Sequence, residues 1–205
     1  MVSAVVMSGG QSTRMGQEKG LMQFCGRKLV EFVLETVSQV ADDVIVSVAK
    51  GKSAEYIEAL GPGLRIVEDR ETGQGPMEGL VCAFGDSRSE YVLVVPCDTP
   101  FLTVGVCNVL IAYSSGHDGS VPRVRGFLEP LHAVYSRDSG LRAFKRTLGE
   151  GHRKLLDAFE YLDLAEVNEA TFRKVDPDLS SFWNLNTKED IALAEQKMKP
   201  QARGT

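Results

Sequence analysis

Val2-Ser3-Ala4-Val5-Val6-Met7-Ser8-Gly9-Gly10-Gln11-Ser12-Thr13-Arg14-Met15-Gly16-Gln17-Glu18-Lys19 opens the chain with an apolar run that ends in paired glycines and then two cations. A run of this length bounded by glycine reads as a strand buried on both faces, the kind found in parallel sheets covered by helices. The glycines let the backbone turn sharply and approach a ligand, while Arg14 and Lys19 reach phosphate oxygens. A nucleotide phosphate chain is the expected occupant. The spacing excludes two common alternatives: the glycines are adjacent rather than arranged as G-x-G-x-x-G, and no window supplies G-x-x-x-x-G-K-S/T.

Working outward, apolar runs and helical periods alternate. Leu29, Phe32, Val33, Thr36, Val37 and Val40 share one helical face; Val44 to Val48 reads as a strand, Ser53 to Leu60 as an amphipathic helix and Leu64 to Val67 as another strand. Met77, Leu80, Val81 and Phe84 mark a third helix, and Tyr91 to Val95 a fourth strand. Parallel neighbours require crossover helices, so the pattern predicts an α/β fold, a doubly wound, mostly parallel, Rossmann-like sheet. Beyond Pro100 the expected elements are a helix over Val104 to Tyr113, short strands over Ser120 to Pro122 and Leu131 to Tyr135, and a helix over Leu141 to Leu148. The mixed segment from Tyr161 to Asp178 has no assigned order. Thr187 and Asp190 mark the start of a last helix. One domain is expected over residues 1–199, with a nucleotide-binding half of about 1–102, an acceptor-binding half of about 103–199 and a tail from Pro200 to Thr205.

The net charge of −5 gives no broad basic surface, so neither nucleic acid nor a membrane is an expected partner. Arg14, Lys19, Arg27 and Lys28, set against Glu18, form a positive island that fits a small polyanion. Cys25, Cys82, Cys97 and Cys107 have no C-x-x-C pairing and stand apart from His117, His132 and His152, so neither a zinc site nor a disulfide framework is encoded. Most of the cysteines are read as small core residues. With no leader or membrane span in the reading, a cytoplasmic location is expected.

Ligands of open parallel sheets bind beyond the carboxyl ends of the strands. Gly9 and Gly10 follow the first strand, Ala49 and Lys50 the second, Glu68 and Asp69 the third, and Pro96, Cys97 and Asp98 the fourth. All should share one edge. A carboxylate facing phosphates repels them unless it holds a cation, so Asp98 reads as a Mg²⁺ ligand rather than a helix cap. Asp69 either accepts hydrogen bonds from a nucleoside or begins a loop. Gly73-Gln74-Gly75-Pro76 enters the third helix with Pro76 at its first position, leaving room for a base or ribose.

Together the opening motif, Gly75-Pro76-Met77-Glu78-Gly79-Leu80, Pro96-Cys97-Asp98-Thr99-Pro100-Phe101-Leu102 and Asn184-Leu185-Asn186-Thr187-Lys188-Glu189-Asp190 resemble the molybdenum cofactor guanylyltransferases, in the same order. Glu129 to Tyr135 and Gly151 to Leu155 also look like segments of that family, and the resemblance runs from about Val2 to Lys197. It implies a nucleotide-diphospho-sugar transferase type of fold and transfer of GMP from GTP, with Mg²⁺, to the terminal phosphate of the molybdopterin cofactor, releasing pyrophosphate. It places Met7, Ser8, Gly9, Gly10, Lys19, Asp69, Gly75, Pro76, Gly79 and Asp98 at the nucleotide, with Asp98 on the metal. Arg14, Asn184 and Asn186 would face the acceptor, and Arg14, Lys19 and Asp98 would carry catalysis. Proteins that deliver or receive the cofactor are implied transient partners.

Three residues depart from the family pattern: Ser8 replaces the usual Ala, Glu18 a common Asp and Glu78 a small residue, the last bearing on base preference. A phosphate monoester acceptor with a second pKa of about 6 is already mostly dianionic at neutral pH, so no general base is required. The alternatives are a same-fold transferase using CTP or another acceptor (a sugar phosphate, an isoprenoid precursor or a cobinamide), and a GTP- or pterin-binding module without turnover. An oxidoreductase is disfavoured by the missing G-x-G-x-x-G.

Overall fold

The computed structural model of the 205-residue chain describes residues 1–9 and 18–198. The candidate residues Gly10 and Arg14, and the expected tail from Pro200, lie outside the described residues.

In chain order the elements begin with β1 (Val2–Met7), a hairpin of β2 (Gln23–Phe24) and β3 (Arg27–Lys28), then α1 (Leu29–Val37), β4 (Asp43–Val48), α2 (Ser53–Leu60), β5 (Arg65–Glu68), α3 (Pro76–Asp86) and β6 (Tyr91–Pro96). The second half adds α4 (Val104–Tyr113), β7 (Gly119–Val124), β8 (Phe127–Leu128), β9 (Ala133–Ser136), α5 (Arg137–Gly149), β10 (Leu164–Asn168), α6 (Glu169–Phe172) and α7 (Lys188–Met198). The expected strands and helices up to Tyr113 recur with ends within two residues, except that α1 stops at Val37 and leaves Val40 in the following turn.

The main sheet runs β10-β7-β9-β6-β1-β4-β5, with β8 paired to β7. From β6 to β5 every pair is parallel, in register Val5↔Ile45, Val5↔Val94 and Val46↔Ile66. β9 runs antiparallel to both β6 and β7, whereas β10 is parallel to β7. The sheet is therefore mostly parallel, with one reversed strand in its path and the short antiparallel β8 beside it.

Successive strand residues point to opposite faces, and both faces are covered. Ala4, Val6, Leu93 and Val95 join the layer under α1 and α4; Val5, Met7, Val92 and Val94 join the layer under α3 and α5, with Phe84 and Phe144. This two-sided burial explains the uninterrupted apolar runs of β1 and β6. Each end of α3 and α4 follows local chemistry. Gly75 (φ 73) turns the chain into Pro76 at the first position of α3, and Thr103 caps α4 by accepting from Val106 N at 3.3 Å. Asp98 therefore does not cap α4.

Two hairpin features escaped the sequence pattern. Cys25 (φ 49) and Gly26 (φ 81) form the left-handed turn between β2 and β3, and Cys25 is exposed, while Cys82, Cys97 and Cys107 are buried as core residues. Among the described residues no helix is long and apolar enough to cross a membrane.

Candidate nucleotide-transfer site

The carboxyl tips of β6, β1, β4 and β5 line one edge, as expected from their parallel order. At the β1 tip the chain divides two environments. Met7 faces α3, and the next residue, Ser8, faces the opposite side of the sheet.

On the α3 side lies a cleft of about 510 Å³ lined by Met7, Gly9, Ala49, Lys50, Asp69, Gly73, Gly75, Pro76, Gly79 and Arg153, among others. Its space depends on missing side chains. A Cβ on Gly79 would stand 2.6 Å from Ser47 Oγ and 3.0 Å from Asp69 Oδ1; one on Gly9 would stand 3.1 Å from Ala49 N. Gly9 is absent from the positive-φ residues, so close approach to β4, rather than a left-handed turn, is what glycine supplies there. Ser47 Oγ and Asp69 Oδ1 are buried with no hydrogen-bond partner among the described residues. Burial, then the charges of Glu78 and Glu68, push the Asp69 carboxyl up to about 6. Buried polar atoms are ordinarily satisfied, so an unmatched Asp69 oxygen on the cleft wall, with Ser47 Oγ buried behind Gly79, is unusual.

On the other side three distant segments converge. Lys19 makes an ion pair with Asp98 Oδ2, and its Nζ also donates to Asn186 Oδ1 at 2.7 Å. Asp98 is 8% exposed, and its Oδ1 has no hydrogen-bond partner among the described residues. The backbone locks these residues together: Cys97 N donates to Met7 O (3.0 Å) and Leu185 N to Asp98 O (2.9 Å). The cap expected at Thr187 holds Asn186 as well. Thr187 Oγ1 accepts from Asp190 N at 3.0 Å, while Asp190 Oδ2 accepts from Thr187 N and from Asn186 N, each at 2.9 Å. Trp183 stacks on Phe101 with ring centroids 5.5 Å apart, pinning the segment just before Asn184. Asn184 Oδ1 is another buried acceptor with no partner among the described residues.

Of the sequence-derived candidates, Met7, Gly9, Asp69, Gly75, Pro76 and Gly79 share the cleft, whereas Lys19, Asp98, Asn184 and Asn186 gather beside it. The Ser8 side chain joins neither group. It is buried, with its hydroxyl 2.5 Å from Tyr56 Oη, so only its backbone borders the site. Strand alternation already separates Ser8 from Met7 and supplies the signal for this. Sequence reasoning also gave no role to Arg153, which enters the cleft from the second half of the chain, or to Gly20, where a Cβ would overlap the Ser8 hydroxyl.

A divalent cation would fit the Asp98 edge on the chemistry of the donors: a buried carboxylate, one oxygen of which has no hydrogen-bond partner among the described residues, beside a lysine. Among the described residues no three His, Cys, Asp or Glu side chains cluster as a metal site. A cation there would draw its remaining ligands from phosphate oxygens and water, as Mg²⁺ commonly does.

Residues 4–165 match the family model of the MobA-like NTP transferase domain. A probable molybdenum cofactor guanylyltransferase of Methanosarcina acetivorans is 38% identical over 200 residues, covering 92% of this chain and 88% of the relative. The molybdenum cofactor guanylyltransferase of Desulfosudis oleivorans is 34% identical, covering 97% and 96%. The crystal structure of molybdopterin-guanine dinucleotide biosynthesis protein A from Archaeoglobus fulgidus superposes with a TM-score of 0.81 at 30% identity, covering 96% of this chain and 98% of that one. With one strand-tip cleft, one lysine–aspartate–asparagine cluster and this similarity along nearly its whole length, the chain belongs to the MobA-like NTP transferase family and is a nucleotidyltransferase.

Proposed function

We propose that this chain transfers GMP from GTP to the terminal phosphate of the molybdopterin cofactor, giving the guanine dinucleotide form and pyrophosphate. The observation that carries this reading is the convergence of Lys19, Asp98 and Asn186 beside the glycine-walled cleft, in a chain whose relatives are named molybdenum cofactor guanylyltransferases.

The cleft takes the nucleoside, with Met7, Gly9, Gly75, Pro76 and Gly79 as walls and Asp69 as an acceptor for its donors. Lys19 holds phosphate oxygens, with Gly10 and Arg14 of the opening motif on the same chain of phosphates. Asn184 and Asn186 face the acceptor, joined by Arg14. Residues 1–102 supply most of the nucleotide side and 103–199 the acceptor side, with Arg153 crossing between them. Asp98 would hold Mg²⁺, which supplies charge neutralisation at the phosphates when bound.

The chain's own part in catalysis is placement. Two anions that repel each other are held in line, and Lys19 balances negative charge as the α–β phosphoanhydride bond breaks and the acceptor oxygen bonds to the α-phosphorus. The acceptor phosphate is mostly dianionic near neutral pH, so no side chain has to remove a proton. His132, within the Glu129 to Tyr135 segment, is buried and held neutral, in keeping with a reaction that needs no histidine base. A cytoplasmic enzyme in transient contact with proteins that deliver or receive the cofactor completes the reading.

The test is pyrophosphate release from the purified protein with Mg²⁺ and molybdopterin cofactor, comparing GTP, CTP, ATP and UTP. Release with GTP alone is expected. Release with CTP alone would change the base assignment, and binding without release would reduce the chain to a binding module.

A further inference from the structure

Lys19 is flanked by Glu18 and Gly20, and both neighbours are held by one face of α2. Lys52, immediately before that helix, lies 3.2 Å from Glu18 Oε1, and the Glu18 side chain is only 11% exposed. One turn on, Tyr56 is fully buried, with its hydroxyl 2.5 Å from Ser8 Oγ. The same two hydroxyls form the seat of Gly20: a Cβ there would overlap Ser8 Oγ and stand 2.9 Å from Tyr56 Oη. Positions four apart face the same way on a helix, and the turn is closed by Tyr56 N donating to Lys52 O at 3.2 Å. The helix is itself fixed to the sheet, because the Glu68 carboxylate on β5 accepts from Ser53 N at 2.7 Å.

We propose that Lys52 and Tyr56 are positioning residues for Lys19: they grip the residues on either side of it, so that its ammonium meets Asp98 and Asn186. The inference rests on the role given to Lys19 under the proposed function. Without Lys52, the largely buried Glu18 carboxylate, whose Oε2 has no hydrogen-bond partner among the described residues, gains by moving toward water and carries Lys19 outward with it. A neutral glutamine has far less to gain from that movement. Without the Tyr56 hydroxyl, the Gly20 seat loses one wall and Ser8 Oγ its partner.

The experiment uses the full chain as wild type, Lys52→Met, Tyr56→Phe and the double variant Glu18→Gln with Lys52→Met. Two readouts are taken: kcat and KM for GTP, and the rate of Lys19 acylation by acetic anhydride, mapped by mass spectrometry against the exposed Lys145 and Lys174. Each single variant is expected to acylate Lys19 several-fold faster and to lose on the order of tenfold in kcat, with KM changed less. The double variant is expected to return toward wild type in both. Unchanged Lys19 acylation in both single variants would overturn the proposal, whatever happens to turnover. So would a double variant no better than Lys52→Met. Faster acylation in a protein whose wild type releases no pyrophosphate from any nucleotide would support the positioning role and sink the proposed activity instead.

Discussion

The two sides of the β1 tip are built on opposite principles. The α3 side is made by omission: Gly9, Gly75 and Gly79 leave room, and Asp69 is left with a raised carboxyl and one oxygen that has no partner among the described residues. The Lys19 side is made by commitment, with Lys19 already bonded to Asp98 and to Asn186 across 79 and 167 residues of sequence. Space for a flat, neutral base comes from removing side chains. A site for phosphates needs charges set in place before the ligand arrives, because reorganising them during reaction raises the barrier.

Mutations should therefore fail differently on the two sides. Asp98→Asn removes the proposed metal carboxylate and the Lys19 ion pair while keeping the shape. Turnover is expected to fall by at least about a hundredfold with circular dichroism unchanged; turnover within threefold of wild type would remove Asp98 from the metal role. Gly79→Ala attacks the other side, forcing a methyl against Ser47, Asp69 and Met7. Overpacking of this kind costs about 1–3 kcal/mol, and KM for GTP should rise by roughly tenfold with kcat less affected. A loss confined to kcat would mean that the two sides are not separable in this way.

The same contrast governs what could be read from the sequence. The first half was legible because β1, β4 and β6 are buried on both faces and announce themselves as apolar runs, each ending in residues that the parallel order brings to one edge. The second half obeys a weaker code. β8 is two residues long, and β10 pairs with β7 some 45 positions earlier (Leu164↔Gly119) while carrying the charged Glu166 at the sheet's edge. The cleft residues were identified as candidates because glycines and strand tips are local signals. That Lys19 meets Asn186 was not legible, since a contact over 167 residues is set by packing such as the Trp183–Phe101 stack. Nor did a motif mark Lys52 and Tyr56, whose contacts with Glu18 and Ser8 are likewise long-range.

Acidity should pull the two sides in opposite directions. The segment leading to Asn184 rests on His132, which packs against Phe182 (5.2 Å between ring centroids) and meets a backbone hydrogen bond at Ser181. Burial lowers His132 from 6.5 to about 4. The unfolded chain therefore takes up more protons as pH falls from 6.5, and stability drops toward pH 4. Between pH 7 and 5 this amounts to about 2 kcal/mol. His132→Phe should flatten that part of the urea-unfolding profile, and an unchanged slope would assign it to other groups.

Asp69 has the opposite sign and the smaller effect. Its carboxyl titrates near 6 rather than 3.8, so the folded protein binds the extra proton between those values, and the stabilisation present below pH 3.8 is lost as pH rises through 6. Asp69→Asn removes the cost of ionising in the cleft. After allowance for screening on its solvent side, the variant should be more stable than wild type by about 1–2 kcal/mol at pH 7 and no more stable at pH 4. Its discrimination between GTP and CTP should weaken at the same time. Greater stability with discrimination intact would show that Asp69 strains the cleft without reading the base, and the acceptor role would then have to move to another group of that wall.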